Sequence, residues 1–298
     1  MNNNREFTIE LTQTESKVLF FAMASPCEVL IETKNKALVN KIAEIVTNEV
    51  WRIEDKYSRY DNRSVCSQIN QNNGQITPID NETYLLLNFA NVCYELSDGL
   101  FDITSGVLRS IWAFNGSDNI PTQEEVDNTL PYVGWNKLTY SEESVNVPKG
   151  MEIDFGGIGK EYAVDRCILL IKALTNVPIL VNLGGDLAAT MPRVGNKPWV
   201  IGVEHPGFES KTNMVVSLFN GALATSGDAK RFIFKDGVRY SHILNAHTGF
   251  PITDAPRSIT VASEQCVQAG ILATLSLLQG VNAESYLEEQ EIKYWAVR

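Results

Sequence analysis

The chain has 298 residues, enough to bury a sizeable core as one large domain or two ordinary ones. Its 44% hydrophobic and 20% charged content is typical of a soluble globular protein. The formal net charge of −11 at pH 7 argues against nucleic acid or an anionic membrane as the main partner, because both repel an acidic surface. An anionic substrate would therefore need a local cation from lysine, arginine or a metal ion.

The N-terminal stretch and the cysteines predict a cytoplasmic protein. The apolar run at residues 18–24 is too short and too late for a signal peptide, and no later run approaches the roughly 20 residues of a membrane span. The five cysteines are scattered and form no CxxC pair, which favours reduced thiols in or near the core.

In chain order, the first half predicts helices separated by polar loops. Residues 1–15 predict an irregular or strand-like arm, and residues 18–33 a strand pair. Apolar residues at helical spacing predict helices over residues 35–57 and 80–97, the second with Asp80 as its N-cap. The remaining predictions are a helical turn at 64–70, a loop at 99–109, a polar insert with a short capped helix at 117–133, and one or two strands at 135–147.

The second half alternates strands with helices. Ile153, Asp154 and Phe155 predict the end of a strand, and residues 160–171 predict the helix that follows. Further strands are expected at 179–182, 199–203, 214–218, 258–262 and 293–297, a strand–turn–strand–loop unit at 222–251, and helices at 266–279 and 282–291. No repeat or linker divides the chain, so we predict one α+β domain.

The main candidate for a ligand-binding turn lies in residues 151–166, MEIDFGGIGKEYAVDR. Its glycines open the backbone, so that main-chain N–H and C=O groups can approach a ligand without a Cβ in the way. With Asp154 and Lys160 beside it, the turn predicts a phosphate or metal–phosphate site; a tight turn with surface charges is the alternative. Neither GxGxxG nor GxxxxGK[ST] is present, so this is not a dinucleotide fingerprint or a Walker loop.

Other polar clusters lie in loops, and each has two interpretations. Tyr57 and Tyr60 could stack on a flat ring or pack on the surface. Phe101-Asp102 could line a site, or the aspartate could simply cap. Residues 225–228 offer hydroxyls and N–H groups, or form an Asx/ST turn.

His242 is the most informative titratable group, because the chain has only three histidines and this one precedes a polar loop. It could act as a general base or phosphate contact, or be a structural donor. Thr274 lies in an apolar helix, where its hydroxyl would normally bond the carbonyl four residues earlier. Zinc-type spacing and GxSxG are absent, so zinc and serine-hydrolase chemistry have no support.

Taken together and in this order, the clusters resemble the ApbE-type flavin transferase family, the FAD:protein FMN transferases. The resemblance rests on YSRYDNRS, GLFDITSG, DFGGIGKEYAVD, LVNLGGDL, W-VIGVEHP, LATSGDAKRF, RYSHILNAHTGFP, SITVAS and AGILATLSLLQG. It implies a single α+β domain over residues 1–298, built of two related subdomains with FAD in the cleft between them. It also implies a reaction in which a threonine hydroxyl of an acceptor flavoprotein attacks FAD, AMP leaves, and Mg²⁺ offsets the charge of the pyrophosphate.

The resemblance also implies roles for individual residues. His242 would activate the nucleophile or steady the phosphates, and Asp228 is the second candidate catalytic residue. The carbonyl of Gly157 and the side-chain oxygen of Thr274 would hold the metal. The FAD-binding positions would be Met23, Tyr60, Leu100, Phe101, Asp102, Asp154, Lys160, His242 and Ile243.

The chain departs from the family pattern at three positions. Gly270 stands where the family has the metal-ligand aspartate of Ala-Asp-x-x-x-Thr, and a divalent cation without its firm carboxylate should bind more weakly. Asn245 replaces the aspartate of Asp-Pro-x-Thr-Gly, and Glu161 stands where glycine is common after the lysine.

These departures leave several outcomes open. Another acid, such as Asp228, Asp254 or Glu264, could complete the metal site; the substrate could help to hold the metal; or catalysis could be weak. The alternative functions are an FAD-binding or flavin-delivery protein with a degenerate metal site, and an FAD pyrophosphatase that gives FMN and AMP.

Overall fold

The computed structural model describes residues 5–12, 14–114, 118–204, 212–228 and 231–298. Residues 1–4 and 13 of the predicted arm, Ser117 of the predicted insert, and residues 205–206 and 229–230 of two quoted motifs lie outside the described residues.

Strands and helices alternate along the described chain. The strands are β1 Phe7–Leu11, β2 Ser16–Ala22, β3 Ser25–Ile31, β4 Ile76–Pro78, β5 Thr139–Tyr140, β6 Ser144–Asn146, β7 Ile179–Leu183, β8 Asp186–Ala189, β9 Trp199–Glu204, β10 Thr212–Leu218, β11 Gly221–Gly227, β12 Phe232–Lys235, β13 Val238–Ser241, β14 Ser258–Ser263 and β15 Tyr294–Val297. The α-helices are α1 Lys36–Tyr57, α2 Val65–Gln71, α3 Asn81–Leu96, α4 Gln123–Thr129, α5 Gly159–Leu174, α6 Cys266–Leu278 and α7 Ala283–Glu288. The α+β class expected from the sequence is confirmed.

A central antiparallel sheet has eight strands in the order β1-β2-β3-β7-β8-β11-β14-β15. Successive side chains point to opposite faces, so Val181 joins one core and Leu180 the other. Helices α1, α5 and α6 pack on the first face, and the β9–β10 hairpin covers the second with the buried Trp199.

The start of α6 is held against α5 by a side chain rather than by its own N-cap. Both carboxylate oxygens of Asp165 on α5 accept hydrogen bonds, from the backbone N–H groups of Cys266 (2.8 Å) and Val267 (2.9 Å). N–H groups of the first helical turn have no acceptor within the helix, and this end of a helix favours a negative charge. The contact sets where α6 begins relative to α5.

A polar network joins α1, α3 and α5 at the surface. The Glu82 carboxylate accepts hydrogen bonds from Arg52 (2.7 Å), Lys56 (2.6 Å) and Tyr162 (2.7 Å). Burial opposes ionisation of this carboxyl, but the three donors outweigh it and lower the pKa of Glu82 to about 2.

Two predictions of local structure were wrong. Residues 153–155 form no strand; the side-chain amide of Asn70 pairs with both the N–H (2.8 Å) and the C=O (2.9 Å) of Ile153, as a neighbouring strand would. The predicted loop at 99–109 contains the 3-10 helix Ile103–Ser110. Among the described residues, no helix is both long and apolar enough to cross a lipid bilayer.

Candidate functional site

The glycine turn lies where three segments meet. The chain forms a 3-10 turn at Phe155–Gly157 before α5 begins, and α6 packs against this turn. A Cβ on Gly157 would lie 3.2 Å from a ring carbon of Phe101, so glycine permits close packing of the predicted flavin-binding loop. The turn and the helix that carries Thr274 are therefore neighbours.

Asp154 is held by two partners at the start of this turn. One oxygen accepts a hydrogen bond from the Gly156 N–H (3.0 Å), and the other pairs with the Arg59 guanidinium. Arg59 also lies over the ring of Tyr60, 5.0 Å from its centroid, and donates to its hydroxyl (2.9 Å). Tyr60 is 78% exposed, so ring surface that Arg59 does not cover is available to a planar ligand. Arg59 lies within the quoted YSRYDNRS but is not among the residues predicted for the site.

Met23 lies at a turn at one end of the sheet, between β2 and β3. Its φ of 50° is in the left-handed region, and its N–H donates to the Glu54 carboxylate (2.6 Å). The β7–β8 hairpin lies alongside, because a Cβ on Gly184 would lie 2.6 Å from Cβ of Ser25. Leu100 packs, partly buried, against the main core.

Lys160 forms an ion pair with a buried acid. Its ammonium lies 3.1 Å from Oδ2 of Asp186, which is only 3% exposed and also accepts from the Thr225 N–H (3.3 Å). Burial opposes a charge on Lys160, but the negative charges of Asp186 and Glu161 outweigh it and raise the pKa of the lysine. Lys160 thus provides a fixed positive charge beside the glycine turn. Asp186 follows the glycine pair of LVNLGGDL but is not among the residues predicted for the site.

Glu161 fills the space beside Gly270. A Cβ on Gly270 would lie 2.6 Å from Cγ and 2.8 Å from Oε1 of Glu161, closer than real atoms approach. The other oxygen, Oε2, is buried and has no hydrogen-bond partner. Burial, together with the negative charge of Asp186, raises the pKa of Glu161 to about 8.

Thr274 lies one helical turn beyond Gly270 and therefore on the same face of α6. The sequence predicted that its hydroxyl would bond the carbonyl four residues earlier. In the structure the hydroxyl donates to Oγ of Ser226 on β11 (3.2 Å). The hydroxyl is therefore directed towards the sheet.

His242 is partly buried at the end of β13. Nδ1 lies 3.1 Å from the carbonyl oxygen of Arg231, and because a carbonyl only accepts, Nδ1 carries the proton in this bond. Burial and the positive charge of Arg231 lower the pKa of His242, so the ring is neutral at pH 7 with a lone pair on Nε2. Next to it, the N–H of Ile243 donates to Oγ of Ser241 (3.1 Å).

The carboxylate of Asp228, a predicted catalytic residue, is paired with an arginine. Its carboxylate lies 2.6 Å from Nε and 3.1 Å from Nη2 of Arg239, and Nε of Arg257 lies 3.9 Å away. These pairs link the β12–β13 hairpin to the end of β11. A catalytic role for Asp228 stays a prediction.

Two further polar residues shape loops of the candidate site. The buried Asp102 caps the 3-10 helix, accepting from the N–H and hydroxyl of Thr104 (2.8 and 2.7 Å) and the N–H of Trp135 (2.8 Å). Asn245 forms an Asx turn by accepting from the His247 N–H (2.8 Å), so its loop keeps its shape without an acid. A Cβ on Gly99 would lie 2.9 Å from the His247 ring, which places this loop against the Phe101 segment.

Two open depressions lie outside the flavin-binding positions. One, of about 380 Å³, is lined by residues that include Asn245, Thr248 and Leu278. The other, of about 370 Å³, is lined by Arg52, Asn81, Glu82, Leu85, Tyr162 and Arg166. Within the part of the chain that the structure describes, no three His, Cys, Asp or Glu side chains converge as a metal site.

Comparison with known proteins identifies the class of protein. The sequence profile of the ApbE family matches residues 23–296, and the chain belongs to this family. A relative in Vibrio cholerae, named FAD:protein FMN transferase, is 28% identical over 235 residues, which are 76% of this chain and 70% of the relative.

Solved structures agree with this assignment. The crystal structure of the ApbE protein of Thermotoga maritima has a TM-score of 0.85 and 31% sequence identity, and the match covers 98% of this chain and 94% of that one. The flavinyl transferase ApbE of Pseudomonas stutzeri, at 24% identity and a TM-score of 0.80 over 99% and 93% of the two chains, shares the fold. The family resemblance seen in the sequence is confirmed.

Proposed function

We propose that this chain transfers FMN from FAD to a threonine hydroxyl of an acceptor flavoprotein, with release of AMP and with Mg²⁺ as cofactor. The observation that carries the proposal is the packing of α6, with Thr274, against the Phe155–Gly157 turn, next to the paired Lys160. Relatives over most of the chain are named FAD:protein FMN transferase, which supports the same reaction here.

The residues around the turn suit binding and orientation of a flavin dinucleotide. Lys160 stays protonated beside its partner Asp186, and its ammonium has further N–H donors for the diphosphate of FAD. An overall acidic chain must supply such a positive group locally. The exposed ring of Tyr60 gives a planar surface for an aromatic ring of FAD. Met23 lies at the turn between β2 and β3, and the ring of Phe101 packs against Gly157, so both are apolar groups at segments of the candidate site.

The transfer step needs a group that accepts the proton of the threonine. The hydroxyl oxygen attacks the phosphorus of the FMN half, the bond from that phosphorus to the AMP oxygen breaks, and the hydroxyl proton moves to a base. Neutral His242, with a lone pair on Nε2, is suited to this role.

The oxygen donors near the turn fit Mg²⁺, which prefers hard oxygen ligands. The Gly157 carbonyl and the Thr274 hydroxyl lie on packed neighbours, and Oε2 of Glu161 is buried without a hydrogen-bond partner. When bound, Mg²⁺ would offset the negative charge of the pyrophosphate. We also propose a cytoplasmic location, which the five unpaired cysteines support.

Mass spectrometry of an acceptor incubated with the chain, FAD and Mg²⁺ tests the proposal. We expect a mass gain equal to FMN on an acceptor threonine. His242→Gln should slow transfer by roughly 100-fold or more, because the base is lost. AMP release without acceptor modification would identify a pyrophosphatase instead. Intact FAD bound regardless of chelator would identify a flavin-delivery protein.

A further inference from the structure

One buried oxygen next to the proposed metal donors has no partner. Oε2 of Glu161 is buried and accepts no hydrogen bond, and an unsatisfied polar atom of this kind costs free energy. The side chain projects from the first turn of α5, two residues after Gly159, and reaches across to α6. A cation that approached this oxygen would satisfy it.

The space that Glu161 fills is the space that a side chain at position 270 would need. A Cβ on Gly270 would lie within 3.0 Å of Cγ, Cδ and Oε1 of Glu161. The carboxyl of Glu161 therefore lies directly over Gly270. Thr274 follows one turn later on the same face of α6, and the Phe155–Gly157 turn packs against this helix.

The other acids near the site are less suited to bind a cation. Asp228 is already paired with Arg239, and Asp186 with Lys160. Glu264 is exposed in front of α6, and Asp254 is exposed with its backbone in the left-handed region. Glu161 has an oxygen that is buried and unpaired.

We propose that Glu161 supplies the carboxylate ligand of the catalytic cation in this chain, from α5 instead of from position 270 on α6. The proposal rests on the proposed function for its cation, a hard divalent ion held by oxygen donors. The absence of a side chain at position 270 leaves the room that the Glu161 carboxyl occupies. The metal site is complete rather than degenerate, with its acid supplied by the neighbouring helix.

Titration of the full chain with Mn²⁺ alone, followed by the electron paramagnetic resonance signal of free Mn²⁺, tests this ligand directly. Glu161→Gln keeps the size of the side chain but cannot ionise to a carboxylate when a cation binds, so it should weaken Mn²⁺ binding by at least about tenfold. Glu264→Gln removes an exposed charge near α6 and should leave binding unchanged. Circular dichroism and thermal unfolding show whether each variant is folded.

The double variant Glu161→Gly/Gly270→Asp, called the exchange variant, gives a test that depends on a gain of Mn²⁺ affinity. Glu161→Gly alone should bind Mn²⁺ weakly, and adding Gly270→Asp to it should restore affinity to within a few-fold of the native chain. Mn²⁺ binding that is equal in Glu161→Gln and the native chain would overturn the proposal. So would a loss in Glu264→Gln, no gain in the exchange variant, or no Mn²⁺ binding by the native chain at millimolar concentration.

The titration contains neither FAD nor acceptor, so it separates this inference from the proposed function. Mn²⁺ binding that depends on Glu161 in a chain that modifies no acceptor would refute the transferase activity alone. Conversely, FMN transfer with Mn²⁺ binding unaffected by Glu161→Gln would refute the ligand alone.

Discussion

A single methyl group at position 270 gives a sharp test of how α5 and α6 fit together. Glycine inside a helix is usually about 1 kcal/mol less favourable than alanine, so Gly270→Ala would stabilise an ordinary exposed helix. Here the new Cβ would lie 2.6 Å from Cγ of Glu161. Cγ is the second carbon of a side chain that is anchored on α5, so relief requires a different χ1 for Glu161 or a shift of a helix.

The expected magnitude follows from the cost of overpacking. Forcing an extra methyl group into a packed site costs roughly 1–3 kcal/mol, which exceeds the gain in helix propensity. We therefore expect Gly270→Ala to destabilise the native chain. In a Glu161→Ala background the obstacle is gone, and the same change should be neutral or stabilising by up to about 1 kcal/mol. The propensity gain is common to both backgrounds and cancels, so the coupling between the two positions should be roughly 1–3 kcal/mol.

Urea unfolding of the native chain, both single variants and the double variant, measures this coupling. The cycle needs no metal, FAD or acceptor, so it tests the packing alone. Glu264→Ala combined with Gly270→Ala is the control, since Glu264 is exposed and the three atoms nearest to a Cβ on Gly270 all belong to Glu161. A coupling below about 0.5 kcal/mol, the usual limit of additivity, would refute the placement of Glu161 over Gly270.

Two further predictions concern the framework of the site. Glu82→Gln should cost up to roughly 3 kcal/mol at pH 7, from the pKa difference between 4.5 and about 2, since it loses ion pairs to Arg52 and Lys56. Because the folded-state pKa is lowered, this stability is present above pH 4.5 and is lost as the pH falls towards 2, so the unfolding curves of variant and native chain should converge there. Asp102→Ala should destabilise the chain by roughly 2–4 kcal/mol in urea unfolding, because it removes a cap and leaves the N–H of Trp135 without its acceptor. Unchanged stability with weakened FAD binding would instead assign Asp102 to the ligand.

Much of the fold could be predicted from local patterns. The long helices α1 and α3 begin after Asn35 and Asp80, whose side chains cap them, and apolar periodicity gives their buried faces. The strand predicted at 153–155 failed because its backbone is satisfied by Asn70, a side chain 83 residues away. A pairing of this kind leaves no periodic signal, so local patterns could not predict it.

The sequence identified motifs that contain residues of the candidate site, but not the pairs that these residues form. Quoted motifs contain Arg59, Asp186 and Glu161, but their partners lie far along the chain: Arg59 pairs with Asp154, and Asp186 with Lys160. Roles follow from those pairs, since a charge that is already matched differs from one that is free. The tertiary fold decides which is which.

The relation between positions 161 and 270 shows why roles carried over residue by residue can mislead. A ligand site is a place in space, and two facing helices can each reach it, by a short acid from α6 or by a longer one from α5. The 2.6 Å approach of Glu161 to a Cβ at position 270 means that both side chains cannot occupy the place in this packing. Gly270 is therefore required by Glu161, and the absence of an acid at one position is informative only when the facing position is considered with it.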